Sequence, residues 1–148
     1  MSIYIDTSAF LRAFLQNSLD YAAAKDLLTP ASRTLVSSEL LWLEADRNAI
    51  RLAKENPALA DLPQQVTKVL AHVTMIPLTR STINAARRIP QVIKSLDALH
   101  IAAAESLGDL LDCVVTYDGT MTAVLNQRGV KVVTASELAA QQETADEL

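Results

Sequence analysis

Apolar positions along the chain fall into runs that alternate between two rhythms. Short runs rich in β-branched and aromatic residues read as strands at 2–6, 34–37, 73–77, 112–117 and 131–134. Between them the apolar spacing stretches to that of helices, over 8–16, 19–28, 39–55, 61–71, 80–89, 95–107 and 120–128. On the helix at 39–55 the apolar series runs through Leu40, Leu41, Leu43, Ile50 and Leu52. On the helix at 95–107 it runs through 96, 99, 100, 103 and 107. Strands that alternate with helices, each largely apolar, predict a parallel sheet covered on both faces. The expected fold is therefore an α/β three-layer α/β/α sandwich with a central sheet of about five strands.

The pattern has no linker, repeat or low-complexity stretch that would divide it. Residues 1–135 read as one domain, followed by a C-terminal helix or polar tail at 136–148 that becomes acidic after Gln141 and is expected to fray or to order against a partner. A 148-residue chain that is 50% hydrophobic suits one core, burying roughly 70% of its unfolded surface. One cysteine, Cys113, precludes an internal disulfide and agrees with a reducing compartment. No basic region precedes an apolar stretch at the N-terminus, and no run approaches the ~20 apolar residues of a bilayer span, so secretion and membrane insertion are not expected.

Four acids stand out by position. Asp6 ends the first strand, and Asp118 follows the strand Cys113–Tyr117 and precedes Gly119. In an open α/β sheet the crevice at the carboxyl ends of strands is where ligands bind, so these two acids point to one rim. Glu44 interrupts the helix that Ser37 and Ser38 can cap, with Arg47 and Arg51 on the same face. Asp97 lies in the first turn of a helix that Ser95 can cap. Each has an ordinary reading as well: Asp6 as a helix cap, Asp97 as a complement to the helix dipole, Asp118 as a turn residue, and Glu44 as a partner of Arg47 or Arg51.

Taken together, the residues around these acids resemble the PIN-domain ribonucleases, most closely the toxins of VapBC-type toxin–antitoxin pairs. The resemblance is carried by Tyr4-Ile5-Asp6-Thr7-Ser8-Ala9, by Ser38 with Glu44 and Arg47, by Ser95-Leu96-Asp97-Ala98-Leu99-His100, and by Val115-Thr116-Tyr117-Asp118, in that order. It implies a PIN-like sheet with the first strand central and a Mg²⁺- or Mn²⁺-dependent endonuclease acting on RNA in the cytoplasm. It also implies a cognate antitoxin protein as inhibitor and a homodimer. Asp6, Glu44, Asp97 and Asp118 match the acidic quartet, and Thr116 matches an auxiliary polar position. Glu39 lies on the same helix as Glu44, but Glu44 keeps the family's spacing from Ser38 and to Arg47.

The chemistry implied is hydrolysis of a phosphodiester by a metal-activated water. Hard divalent ions take oxygen ligands, and converging carboxylates that would repel one another are reconciled by a cation. Asp6 and Asp97 are then the primary ligands, Glu44 and Asp118 complete the set, and Thr116 positions a water or phosphate oxygen. Arg47 and Arg12 are candidates for phosphate contact. Apolar residues on the first two helices and around Trp42, Leu59 and Leu62 offer surfaces for a partner.

Other chemistries fit less well. Two histidines and one cysteine are too few for a zinc site built on Cys and His. His100 reads as a packed, hydrogen-bonded histidine, and three glycines make no phosphate loop. A net charge of −4 argues against a broad basic nucleic-acid surface, but with the four acids set aside the remaining charges balance. Two rival functions remain. An Asp-nucleophile phosphatase would need a second Asp two residues after Asp6, where Ser8 stands. A catalytically silent PIN-like module that only binds RNA or protein is disfavoured by the intact quartet.

Overall fold

Strand β1 (Ser2–Ile5) is the centre of a five-stranded sheet in the order β3-β2-β1-β4-β5, with every pairing parallel. Its partners are β2 (Thr34–Ser38), β3 (Thr74–Ile76), β4 (Leu111–Val115) and β5 (Val132–Val133). The computed structural model describes residues 2–29 and 33–147. The register sets Ile5 beside Val115 and Tyr4 beside Val36, so the ends of β1, β2 and β4 form one rim. Because the strand order reverses across β1, the crevice opens between the ends of β1 and β4.

Eight α-helices are described: α1 (Thr7–Arg12), α2 (Tyr21–Leu28), α3 (Leu40–Glu55), α4 (Leu62–Leu70), α5 (Arg80–Arg87), α6 (Ser95–Glu105), α7 (Gly119–Gln127) and α8 (Ala135–Asp146). Alternation along β1 divides the core. Ile3 and Ile5 pack with Phe10, Leu41, Leu62, Val66, Cys113 and Val115 on the face covered by α1 to α4 and α8. Tyr4 points the other way and packs with Val114, Ile101 of α6, and Met121 and Leu125 of α7. This is the three-layer sandwich that the strand–helix alternation predicts.

Two helix faces differ from the apolar reading. On α3 the buried residues are Leu40, Leu41, Ala45 and Ala49, whereas Leu43 and Ile50 are exposed. Ala45 and Ala49, four residues apart, carry that seam in the core that also holds Leu62, Val66 and Leu70 of α4. On α6 burial runs through Ala98 and from His100 to Ala104, and Leu96 is exposed. That helix lies between the sheet and α5 and is covered on more than one side, so no single stripe describes it. Leu62, expected at a surface, is buried at the start of α4, and Leu59 is partly buried beside the same core, while Trp42 is exposed.

The first helix is shorter than its apolar pattern. After Arg12 the chain continues in i→i+3 turns, with the N–H of Ala13 on Phe10, of Phe14 on Leu11 and of Ser18 on Leu15. At the other end α8 is continuous to Asp146, anchored by buried Ala135 and Leu138, with an exposed acidic second half; Leu148 lies outside the described residues. Cys113 is fully buried, and burial, with Asp112 nearby, pushes its thiol up to about 11.

Candidate active site

Asp6 leaves β1 in an extended conformation and caps α1. Its Oδ1 accepts the Ala9 backbone N–H at 2.9 Å and the Ser8 hydroxyl at 2.7 Å, and its Oδ2 accepts the Thr116 hydroxyl at 2.5 Å. Asp6 is only 3% exposed. Burial pushes its carboxyl above the ordinary aspartate range, against the pull of those three hydrogen bonds and of His100.

The same donors stitch β1 to β4. Ser8 Oγ accepts the Tyr117 N–H at 3.0 Å, and Thr116 Oγ1 accepts the Asp118 N–H at 3.1 Å. Asp118 caps α7, with its Oδ1 accepting the Met121 N–H at 2.8 Å. Capping is thus a true role for both strand-end acids, and it aims them: a capped helix start fixes each Asp backbone at the rim. Ser8 occupies the place where a phosphatase of the Asp-nucleophile type needs its second carboxylate, and its hydroxyl is committed to Asp6.

Glu44 comes from mid-α3 and does not pair with Arg47 or Arg51. Its Oε1 accepts the Thr7 hydroxyl at 2.8 Å and lies 2.7 Å from Nε2 of His100. Burial works to raise the Glu44 carboxyl, but the hydrogen bonds of His100 and Thr7 outweigh it and hold the group below the ordinary glutamate range. His100 is 2% exposed, and its Nδ1 lies 2.7 Å from the hydroxyl of Tyr4, which is fully buried.

Asp97 stands in the first turn of α6, half-buried, and accepts no hydrogen bond from the described residues. Its carboxyl is raised by burial first and then by the charge of Asp118, with smaller contributions from Asp6 and Glu44 and with His100 opposing. Three acids on other elements therefore bear on the carboxyl of Asp97. Among the described residues no group of three or more His, Cys, Asp or Glu side chains forms a ready-made metal cage.

The remaining candidates are placed differently. Arg47 is exposed on α3 and makes no ion pair among the described residues. Arg12 lies with its guanidinium 4.0 Å from the centre of the Tyr117 ring and donates to the Leu19 carbonyl at 2.9 Å, bracing the turn before α2. Glu39 turns the other way and accepts the Leu78 N–H at 3.0 Å. Thr7, Ser8 and Tyr4 have no assigned role in the sequence reading, and His100 has only that of a packed residue. Their signal is adjacency: two hydroxyls directly after Asp6, and a histidine one turn after Asp97.

This arrangement has counterparts. The PIN domain family matches residues 3–125. Ribonuclease VapC46 of Mycobacterium tuberculosis (strain ATCC 25618 / H37Rv) is 29% identical over 140 residues, covering 91% of this chain and 98% of the relative. Ribonuclease VapC47 of Mycobacterium tuberculosis (strain CDC 1551 / Oshkosh) is 30% identical over 138 residues, covering 90% and 96%. Among solved structures, VapBC2 from Rickettsia felis, bound to a DNA fragment from their promoter, aligns with a TM-score of 0.65 at 13% identity over 90% of this chain and 98% of that one. Mycobacterium tuberculosis VapC20, a sarcin-ricin loop cleaving toxin, aligns at 0.58 and 16% identity over 82% and 93%. With its central first strand and with Asp6 and Asp118 at the strand-end rim, the chain belongs to the PIN-domain family and, within it, to the VapC ribonucleases.

Proposed function

We propose that this chain is a divalent-metal-dependent endoribonuclease that hydrolyses RNA phosphodiester bonds as the toxin of a toxin–antitoxin pair, with Asp6, Glu44, Asp97 and Asp118 holding Mg²⁺ or Mn²⁺. The observation that supports this reading best is the convergence of those four acids on one strand-end crevice, close enough that three of them bear on the carboxyl of Asp97. The donor set suits a hard cation, being oxygen throughout. Glu44 Oε2, Asp118 Oδ2 and both oxygens of Asp97 accept no hydrogen bond from the described residues and are available to it.

When bound, the metal would bring a coordinated water toward neutral acidity and offset charge on the scissile phosphate. The chain's own residues do the aiming. Thr116 and Ser8 fix the two oxygens of Asp6, while the cap on α7 fixes Asp118. Thr116 reaches substrate or water only through what Asp6 and the Asp118 N–H leave free, so its main part is orientation. Arg47, exposed beyond Glu44, is the first candidate for a phosphate contact. Arg12 commits one N–H to Leu19, and its other N–H groups are the second candidate.

The same reading assigns a cognate antitoxin as inhibitor, a homodimer, and a cytoplasmic setting. Exposed Ile83, Val92 and Leu96, on α5, on α6 and between them, give a dimer an apolar surface. No helix among the described residues is long and apolar enough to cross a membrane.

The test is incubation of the antitoxin-free protein with a mixed cellular RNA pool in Mg²⁺ or Mn²⁺, with EDTA and Asp6→Asn as controls and with mapping of new RNA ends. Discrete cleavage that both controls abolish is expected. A folded protein that binds RNA or a partner but cuts with neither metal would instead be a silent binding module.

A further inference from the structure

We propose that His100, oriented by Tyr4, is a positioning residue for Glu44: with Thr7 it saturates Oε1, so that Glu44 meets the acidic crevice through Oε2 alone. The proposal rests on the metal reading above and deepens it, because it concerns how one carboxylate is presented.

Three elements meet at this contact. Tyr4 comes from the centre of β1, His100 from α6 and Glu44 from α3, which are 96 and 56 residues apart in sequence. Packing alone would not require a partner at both ring nitrogens, yet both have one at 2.7 Å. The directions of the hydrogen bonds follow from burial. The Tyr4 hydroxyl is fully buried, and its one side-chain hydrogen bond among the described residues is to His100 Nδ1, so its proton is placed there and it donates to Nδ1. That leaves Nε2 as the protonated nitrogen, which donates to Glu44 Oε1. The imidazole cannot readily turn over. It is 2% exposed, and the Tyr4 ring stands edge-on to it, with centroids 5.9 Å apart and planes at 78°.

Oε1 therefore receives two donors, Thr7 and His100, which occupy its two lone-pair directions. Asp6 is treated alike, since Oδ1 takes Ser8 and the Ala9 N–H. A carboxylate with one oxygen saturated is a one-oxygen ligand. That suits Mg²⁺ or Mn²⁺, which favour compact octahedral shells, better than Ca²⁺, which accepts six to eight oxygens and often a bidentate carboxylate. His100 thus acts on metal choice as well as on affinity.

The experiment titrates Mn²⁺ and, separately, Ca²⁺ calorimetrically into RNA-free, antitoxin-free protein: wild type, His100→Leu, His100→Gln and Tyr4→Phe. Nitrogen-15 imidazole spectra of the same proteins report the tautomer. His100→Leu is expected to weaken Mn²⁺ binding by about 10–100-fold, the usual effect of losing a group that orients a metal ligand, and to narrow the preference for Mn²⁺ over Ca²⁺. His100→Gln, whose amide can replace the Nε2 donor, should recover most of both. Tyr4→Phe should lose less affinity and show a ring no longer held with its proton on Nε2. A folded His100→Leu protein with unchanged Mn²⁺ affinity and Mn²⁺/Ca²⁺ preference overturns the proposal, as does a wild-type ring protonated on Nδ1 alone. If His100→Leu does not fold, unchanged affinity and preference in both His100→Gln and Tyr4→Phe, with Tyr4→Phe leaving the tautomer unaltered, overturn it instead. Failure of wild type to bind Mn²⁺ at all overturns the metal reading itself, a result distinct from binding that ignores His100.

Discussion

Asp6 and Asp97 face one crevice with opposite kinds of support. Asp6 is 3% exposed and receives three hydrogen bonds, from Ser8, Ala9 and Thr116. Asp97 is half-buried and receives none from the described residues. Both carboxyls are nevertheless raised, and burial is the largest cause in each case. What differs is the second influence. At Asp6 it is favourable bonding that opposes burial, and at Asp97 it is repulsion from Asp118 that adds to it. On the metal reading proposed above, Asp6 would be the rigid acid that defines the position of a cation and Asp97 the looser acid that adapts to it.

The sharpest way to break that comparison is to neutralise the rigid acid. Asp6→Asn should retain the helix cap, since Asn caps as well as Asp, while kcat/KM falls about a thousandfold or more, the equivalent of the several kcal/mol a metal supplies. Melting temperature and RNA cleavage, measured side by side, check it; retained cleavage would remove Asp6 from the catalytic set. Next in size is Thr116→Val, which strips the shortest bond from a buried carboxylate. A stability loss of about 1–3 kcal/mol is expected from denaturant unfolding, with the acid limb of the activity profile moved to higher pH as the Asp6 carboxyl rises further.

The looser acid should respond in the opposite direction. A carboxyl raised in the folded state binds its proton more tightly there than when unfolded. The stability it lends is present below the ordinary aspartate range and is lost as pH rises through the raised value. Metal-free protein should therefore lose this contribution of Asp6 and Asp97 as pH rises through their raised values. Glu44, held low, contributes in the other sense, and its share is lost only as pH falls through a value below the ordinary glutamate range. Asp97→Asn is expected to raise the metal-free melting temperature at neutral pH by about 1–3 °C, an increment typical of a sub-kcal/mol gain in a chain of this size, and to abolish the further rise that the proposed metal site would give the wild type in Mn²⁺. A lower metal-free melting temperature would show that Asp97 is braced after all. The smallest effect belongs to Arg47→Ala, which should leave stability unchanged and reduce the salt dependence of RNA binding by about one unit of slope.

Much of this was legible along the chain because it is local. The order of strands and helices follows from apolar periodicity, and the parallel sheet follows from their alternation. Asp6 and Asp118 could be placed on one rim because Asp6 directly follows β1 and Asp118 comes three residues after the end of β4. The capping alternatives for them were also local, and they hold together with the rim placement instead of competing with it. Where the apolar reading strayed, on α3 and α6, alanines were the cause: small residues bury easily but weigh little in a hydrophobic pattern. Leu43, Ile50 and Leu96 carried the pattern and lie outside.

The sequence by itself determined which residues can end a strand, start a helix or ligate a hard cation, since those properties belong to a residue and its near neighbours. Only the tertiary structure decided which donors brace each acid. Thr116 reaches Asp6 across 110 residues, His100 reaches Glu44 across 56, and Glu44 prefers His100 and Thr7 to the arginines that share its helix. A hydrogen bond requires two atoms within about 3 Å, and for residues so far apart in the chain that distance is set by how the sheet is ordered and the helices packed, not by spacing along the sequence.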